Sequence, residues 1–174
     1  MEILTTKPDR TVASLIHIST FSKYLLPFGN FILPLILWSA KKNDPFVNEH
    51  GKQALNFQIS IFLYFVLLVC TGISGVIILG IDVFQNTPFL STEDPRYWLQ
   101  SANSIPMIIL IGVIGLIMLG LFILEIVAVI KATIKASEGE LYDYPITINF
   151  IKPTSVDIHQ SKNEQFNNVQ NETL

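Results

Sequence analysis

Two long stretches of the chain are almost purely apolar. No charged side chain occurs between Ala54 and Ile81, and Glu125 is the only one between Ile105 and Ile130. An apolar run of about 18 or more residues with few charges is typical of a membrane-spanning helix. The pattern therefore predicts an all-α integral membrane protein, a polytopic helical bundle with two clean spans. It excludes an ordinary soluble enzyme.

A third hydrophobic region, residues 11–40, is broken near its middle. Pro27, Gly29 and Asn30 fall within four residues of one another, which is a strong turn signal. An unbroken helix over this region would be about 45 Å long, more than the roughly 30 Å core of a bilayer requires. We therefore expect two helical pieces that either cross the membrane once or turn back as a hairpin. The bundle then has three to four membrane helices.

Polar segments divide the chain into further units. Asp44 and Pro45 suit the N-cap and the first position of a helix. Residues 45–53 are expected to lie along the membrane interface and to continue into the span 54–81, with Gly51 allowing an angle between them. The other expected units are a polar leader (1–10), an extracytoplasmic connection (82–104), a second span (105–136), an extended segment with strand-like alternation (142–151) and a disordered tail (153–174).

The composition excludes several classes of function. Charged residues make up 14% of the chain, against about 25% in a typical soluble protein, and the net charge is −3. No basic surface for nucleic acid is therefore expected. The single cysteine, Cys70, leaves no intrachain disulfide, and no histidine–cysteine cluster has metal-ligand spacing. Because no nucleophile–base pair is recognisable either, we predict a protein that is not an enzyme and uses no cofactor.

Four polar side chains within the apolar regions are candidates for a site, namely Glu125, Asn56, His17 and Lys23. A carboxylate costs about 2.5–3.5 kcal/mol at mid-bilayer on insertion scales. Glu125 therefore either handles protons or ions, or it is buried against a structural partner such as Asn56, Gln53 or a lysine. We favour the structural interpretation, because one isolated acid is weak evidence for transport. Lys23 can extend its ammonium to an interface, and His17 is interpreted as a hydrogen-bonded structural residue.

Three sequence elements occur in a characteristic order: Pro34 to Trp38, Asp44 to Phe57 and Tyr144 to Ile148. Their motif residues are Pro34, Trp38, Asp44, Pro45, Phe46, Asn56, Phe57, Tyr144 and Pro145. Over about residues 11–152, the chain resembles a family of small bacterial membrane proteins that carry a domain of unknown function. That family is grouped by similarity with the twenty-kilodalton Tic component of chloroplast protein import. The resemblance implies a non-enzymatic subunit or scaffold of a membrane complex, related to protein insertion or translocation.

The alternative function is a minimal transporter or channel for ions or small solutes. It would use Glu125, His17 and Lys23 along a polar path. Transporters usually contain internal repeats with paired broken helices, whereas only region 11–40 is broken in this sequence. The subunit interpretation is therefore favoured. Its expected partners are the lipid bilayer and other membrane proteins or a second copy of the chain, and not nucleic acid.

Positive charges predict the topology in a bacterial inner or plasma membrane. Lysine and arginine favour the cytoplasmic side, and seven of the eleven lie in loop 41–53, in the last turns of the second span or after it. We therefore expect a multi-pass protein with a cytoplasmic C-terminus and with loop 82–104 outside. Charge also favours a hairpin for region 11–40, with the N-terminus inside. Length is against a spanning hairpin, because Phe31–Ala40 rises only about 15 Å.

Single cysteines at Thr5, Thr92 and Ser161, in a Cys70→Ser background, test this topology. An impermeant maleimide added to intact cells should label position 92 and leave positions 5 and 161 unlabelled, since only the connection faces outward. Labelling at position 161 would overturn the whole arrangement. Labelling at positions 5 and 92 together would overturn the hairpin alone.

Overall fold

The computed structural model describes residues 8–86 and 104–152, and every regular element within these ranges is helical. The elements are α1 (Arg10–Ile18), a 3-10 helix (Ser19–Tyr24), α2 (Gly29–Lys41), α3 (Pro45–Asn86) and α4 (Ser104–Glu138). This confirms the predicted all-α fold. Three predicted units lie wholly or largely outside the described residues: the leader up to residue 7, residues 87–103 of the connection and the tail 153–174.

Two helices are long and apolar enough to cross a membrane: α3 over Pro45–Ile81 and α4 over Ser104–Glu138. By contrast, α1 has 9 residues and α2 has 13, which correspond to about 14 and 20 Å of rise. Neither reaches the roughly 30 Å of a hydrocarbon core. The expected three to four membrane helices are therefore not confirmed, because the break at Pro27–Asn30 leaves two pieces that are too short to span.

Region 11–40 folds back on itself as a helical hairpin. The backbone N–H of Asp9 donates to Oδ2 of Asp44 at 2.9 Å, and Nζ of Lys41 lies 3.4 Å from a carboxylate oxygen of Asp9. The two ends of the region therefore meet at one end of the molecule. The chain reverses at Phe28, whose φ of 59° is left-handed, immediately before α2. The hairpin is a feature of the fold, and its position relative to a membrane stays a prediction.

α3 is one continuous helix of 42 residues, and it is not interrupted at Gly51, where the sequence allowed an angle. Gly51 has a different role, because a Cβ atom at this position would overlap the ring of Trp38 on α2. The missing side chain lets the two helices approach closely. The indole N–H of Trp38 also donates to Oδ1 of Asn48 on α3 at 2.9 Å. Close packing and one hydrogen bond thus fix α2 against α3.

The segment after α4 is not a strand, although its residues alternate between apolar and polar. It begins at Gly139, where φ is 88°, and reverses at Ile146, where φ is 52°. Its backbone pairs with side chains of α3 instead of with a neighbouring strand. The N–H of Ile148 donates to Oγ of Ser60 at 2.8 Å. The hydroxyl of Tyr64 donates to the carbonyl of Ile146, also at 2.8 Å.

The buried core lies at one end of the α3–α4 pair. It consists of two clusters, Phe57, Ala128, Val129, Ala132 and Tyr144 in the first and Ile16, Val47 and Ala54 in the second. We call residues 8–60 and 125–152 the head, and residues 61–81 and 104–124 the helix pair. The large apolar side chains of the helix pair are exposed or half-buried, and Ile78 and Leu116 are each 71% exposed. An apolar surface that extends along two helices in this way is suited to contact with lipid.

We predict that Gly51→Ala destabilises the protein, because the added methyl group has to displace the Trp38 ring. Overpacking of this kind costs about 1–3 kcal/mol. Gly115→Ala on α4 is the matched control, since a Cβ atom there meets no other atom within 4 Å. At both positions alanine is a better helix former than glycine by about 1 kcal/mol, so the comparison of the two variants isolates the overpacking.

Thermal unfolding of both variants in one detergent measures the difference. The Tm of Gly51→Ala should fall below that of the unmodified protein, and the Tm of Gly115→Ala should stay equal or rise. Equal Tm values for both variants would contradict close packing of α2 on α3.

Candidate functional site

Glu125 and Lys23 form an ion pair between α4 and the end of the 3-10 helix. Nζ of Lys23 lies 2.6 and 2.5 Å from the two carboxylate oxygens of Glu125. The side chain of Glu125 is 4% exposed and that of Lys23 is 25% exposed. Nζ also lies 5.2 Å from the ring centroid of Tyr24, within cation–π distance. The ammonium thus compensates a carboxylate that would otherwise be buried without a counter-charge.

Of the structural partners suggested for Glu125, the structure provides the lysine. Asn56 binds elsewhere: its Nδ2 donates to the carbonyl of Ile151, and its Oδ1 accepts from the N–H of the same residue, both at 2.8 Å. This two-way contact ties the segment after α4 to α3. The four candidate residues are therefore not one site, since Glu125 meets Lys23 whereas Asn56 has a separate structural contact.

A second polar cluster joins α1, α3 and the segment after α4. Nε2 of His17 lies 2.7 Å from Nδ1 of His50, and Nδ1 of His17 lies 2.8 Å from the hydroxyl of Tyr144. Both imidazoles are completely buried. The ring of Tyr144 stacks on Phe57, with 4.2 Å between the centroids, and this holds the hydroxyl in place. Each ring nitrogen of His17 thus has a hydrogen-bond partner, in keeping with its structural interpretation.

Burial keeps this cluster uncharged. His17 lies on α1, outside the two candidate spans, and burial lowers its pKa from the usual 6.5 to about 3, with the nearby His50 as the smaller cause. Burial also raises the pKa of the Tyr144 hydroxyl well above its usual 10. Both groups are therefore neutral near pH 7. The cluster joins three parts of the chain through hydrogen bonds without placing a net charge in the core.

The residues that carry the family resemblance have structural roles in this fold. Asp44 caps α3, because its Oδ1 accepts hydrogen bonds from the N–H of Phe46 at 2.8 Å and of Val47 at 3.3 Å. Pro45 is the first residue of α3, and Pro34 is buried within α2. The remaining motif residues pack or form hydrogen bonds within the head: Trp38, Asn56, Phe57, Tyr144 and Pro145.

A cavity of about 380 Å³ lies beside the Lys23–Glu125 pair, between the start of α2 and the helices α3 and α4. Two amide side chains line it, and Nδ2 of Asn30 donates to Oε1 of Gln58 at 2.9 Å. No sequence pattern identifies Asn30, Gln58 or His50 as a member of a polar site. The one sequence signal for these residues is that each is a polar side chain in an apolar setting. Their hydrogen-bond partners lie on other elements, and no spacing in the sequence indicates such partners.

The described ranges, 8–86 and 104–152, contain no group of three or more histidine, cysteine, aspartate or glutamate residues that could hold a metal ion. The imidazoles of His17 and His50 contact each other, and the carboxylate of Glu125 binds an ammonium. In this arrangement the buried polar groups join helices to one another. The two histidines and Glu125 do not share one centre.

The ion pair leads to a double-mutant prediction. Glu125→Gln retains an acceptor for Lys23 and should lower the Tm only slightly. Glu125→Leu leaves the ammonium without its partner, which should cost about 1–3 kcal/mol. The double variant Lys23→Met/Glu125→Leu should recover most of that loss, because replacing both members of a buried ion pair by apolar side chains is often neutral.

Thermal unfolding of these variants and of Lys23→Met in the same detergent gives the coupling free energy between the two side chains. Losses that simply add in the double variant would contradict a structural ion pair. Equal stability of all forms would contradict it as well.

Comparison with known proteins identifies the family. The model of the magnetosome magnetite crystal formation protein family (MamF_MmsF) matches residues 8–151. No curated protein and no solved structure matches the chain. The match supports a small bacterial membrane-protein family but not the resemblance to the chloroplast import component. The matched residues include the helix pair and all of the head except its last residue, 152. The chain belongs to the magnetosome magnetite crystal formation protein family.

Proposed function

We propose that this protein is a non-enzymatic scaffold subunit of the magnetosome membrane that takes part in magnetite crystal formation. The family match over residues 8–151 supports the setting. The observation that carries the scaffold role is the pairing of the polar side chains in the head. Lys23 binds Glu125, and His17 binds both His50 and Tyr144. These contacts are internal, and they leave the apolar surface of the helix pair available for lipid and for other membrane proteins.

This pairing favours a scaffold over a transporter. A transport path would require Glu125, His17 and Lys23 to line a common polar route. In the described residues they belong to two separate sets of contacts, and Glu125 is nearly fully buried against its counter-ion. The family description concerns crystal formation and gives no support to protein insertion or translocation. We therefore include neither protein insertion nor translocation in the proposed function.

The lengths of the helices support one arrangement in the membrane. Ile105 to Leu124 contains no charged residue, and roughly 20 helical residues rise about 30 Å, one hydrocarbon core. The helix pair then spans the bilayer, and Glu125 lies at its boundary. The head lies at one face, with the exposed side chains of Ile32 and Ile36 on α2 resting in the interface. Following the positive charges, this face is the cytoplasmic one, and loop 82–104 faces the interior of the magnetosome.

The test is deletion of the gene in the source organism, followed by electron microscopy of the crystals. We expect altered crystal size, number or shape, and restoration by the unmodified gene. The matched variants are Glu125→Leu and Lys23→Met/Glu125→Leu. If the ion pair is structural, the double variant should restore normal crystals at normal protein abundance, whereas Glu125→Leu alone should act poorly because its abundance falls.

Two outcomes would contradict the proposal. Normal crystals in the deletion strain would exclude a role in crystal formation. A double variant that reaches normal abundance but fails to restore the crystals would show that the charges themselves are needed, which would favour ion handling over a scaffold.

A further inference from the structure

The cavity beside the ion pair has a polar end and an apolar body. Lys23, Asn30, Gln58 and Glu125 form the polar end. Aromatic and aliphatic side chains of α3 and α4 surround the remainder, including Phe62, Phe65, Met118, Leu121 and Phe122. The volume of about 380 Å³ lies within the roughly 300–1,000 Å³ that is usual for small-molecule sites. The volume of the cavity and its lining therefore suit an amphiphilic ligand.

Gln58 lines this cavity and has an unused hydrogen-bond donor on its amide. Gln58 is 1% exposed, and its Oε1 accepts from Nδ2 of Asn30. Its Nε2 is buried and has no hydrogen-bond partner among the described residues. Buried polar atoms without a partner are rare and costly in native proteins. Because Nε2 is buried, the amide has to turn towards the cavity to donate to a ligand, and an acceptor oxygen placed there removes this cost.

The charges at the polar end indicate what kind of acceptor fits. Lys23 already binds both carboxylate oxygens of Glu125, so the ion pair contributes no net charge. An anionic group at Gln58 would be repelled by the adjacent carboxylate and would compete with it for the ammonium. A neutral carbonyl oxygen accepts from Nε2 without disturbing the ion pair. The site therefore favours an ester carbonyl over a carboxylate or a phosphate.

The depth of the cavity matches such a ligand. Glu125 lies where the charge-free stretch of α4 that begins at Ile105 ends, after about one hydrocarbon thickness. Phe65 and Met118 lie about two helical turns from Gln58 and Glu125, on the side of the helix pair. The polar end is thus at the boundary between headgroups and acyl chains, and the apolar body extends inward. A membrane phospholipid has its ester carbonyls and acyl chains in the same order.

We propose that this cavity binds one acyl chain of a membrane phospholipid, whose ester carbonyl accepts a hydrogen bond from Nε2 of Gln58. The site does not depend on the role in crystal formation. Bound in this way, the lipid joins the start of α2 to the helix pair at the level of the ion pair. It is a specific ligand, in contrast to the general lipid layer around the exposed helices.

The test compares an ester-linked phosphatidylglycerol with its diether analogue, which has the same headgroup and chains but no carbonyl oxygens. Binding to the full-length protein in mild detergent is measured by native mass spectrometry. The ester lipid should bind roughly 2- to 10-fold more tightly, the range expected for one hydrogen bond. Gln58→Leu should abolish this preference while still binding both lipids.

Leu121→Trp keeps the proposal testable if Gln58→Leu fails to fold. Leu121 lines the cavity, so the larger ring should block both lipids. Leu119→Trp is the matched control on the same helix, because Leu119 is 54% exposed and is not part of the lining. It should bind both lipids as the unmodified protein does.

Three results would overturn the proposal. The first is equal affinity of the unmodified protein for the ester and ether lipids. The second is tighter binding of a free fatty acid than of the ester lipid, which would indicate recognition of a carboxylate. The third is a purified dimer that dissociates on Leu121→Trp but not on Leu119→Trp, which would make a second copy of the chain the occupant.

Discussion

The hydrocarbon core of a bilayer offers no hydrogen-bond partners, so polar groups that the head buries next to it depend on partners within the chain. Most of the architecture follows from this constraint. Lys23 neutralises Glu125, and Asn56 holds both backbone groups of Ile151. The segment after α4 can remain non-helical because the side chains of α3 satisfy its backbone. Removing any of these contacts leaves a buried polar group, which makes the polar contacts as important to the head as its apolar packing.

Helix length separates the two parts of the molecule. With 42 and 35 residues, α3 and α4 rise about 63 and 52 Å, well beyond one hydrocarbon core. The excess length at one end supports the α1–α2 hairpin and the segment after α4. The remaining part, the helix pair, retains a lipid-facing apolar surface. This division explains why the buried core and the polar contacts described above occur at the same end.

The motif residues have structural roles in the fold and do not indicate a reaction. Asp44 and Pro45 start α3, Trp38 packs over Gly51, and Tyr144 connects the last segment to His17. A resemblance built on such residues identifies relatives that share the head without indicating what they do. The family match adds the setting of magnetite crystal formation, and the cavity at Gln58 adds a ligand site that no motif residue lines.

The sequence by itself determined the two long apolar helices, the break at Pro27–Asn30, and the need of Glu125 for a partner within an apolar stretch. Each is a local property, set by hydrophobic run length, by turn-forming residues or by a charge in an apolar stretch. The tertiary structure alone decided which partner Glu125 meets, since Lys23 is 102 residues away. It also decided that the last segment pairs with side chains instead of a strand. Such pairings depend on which elements lie next to each other after folding, and a single sequence contains no spacing rule for them.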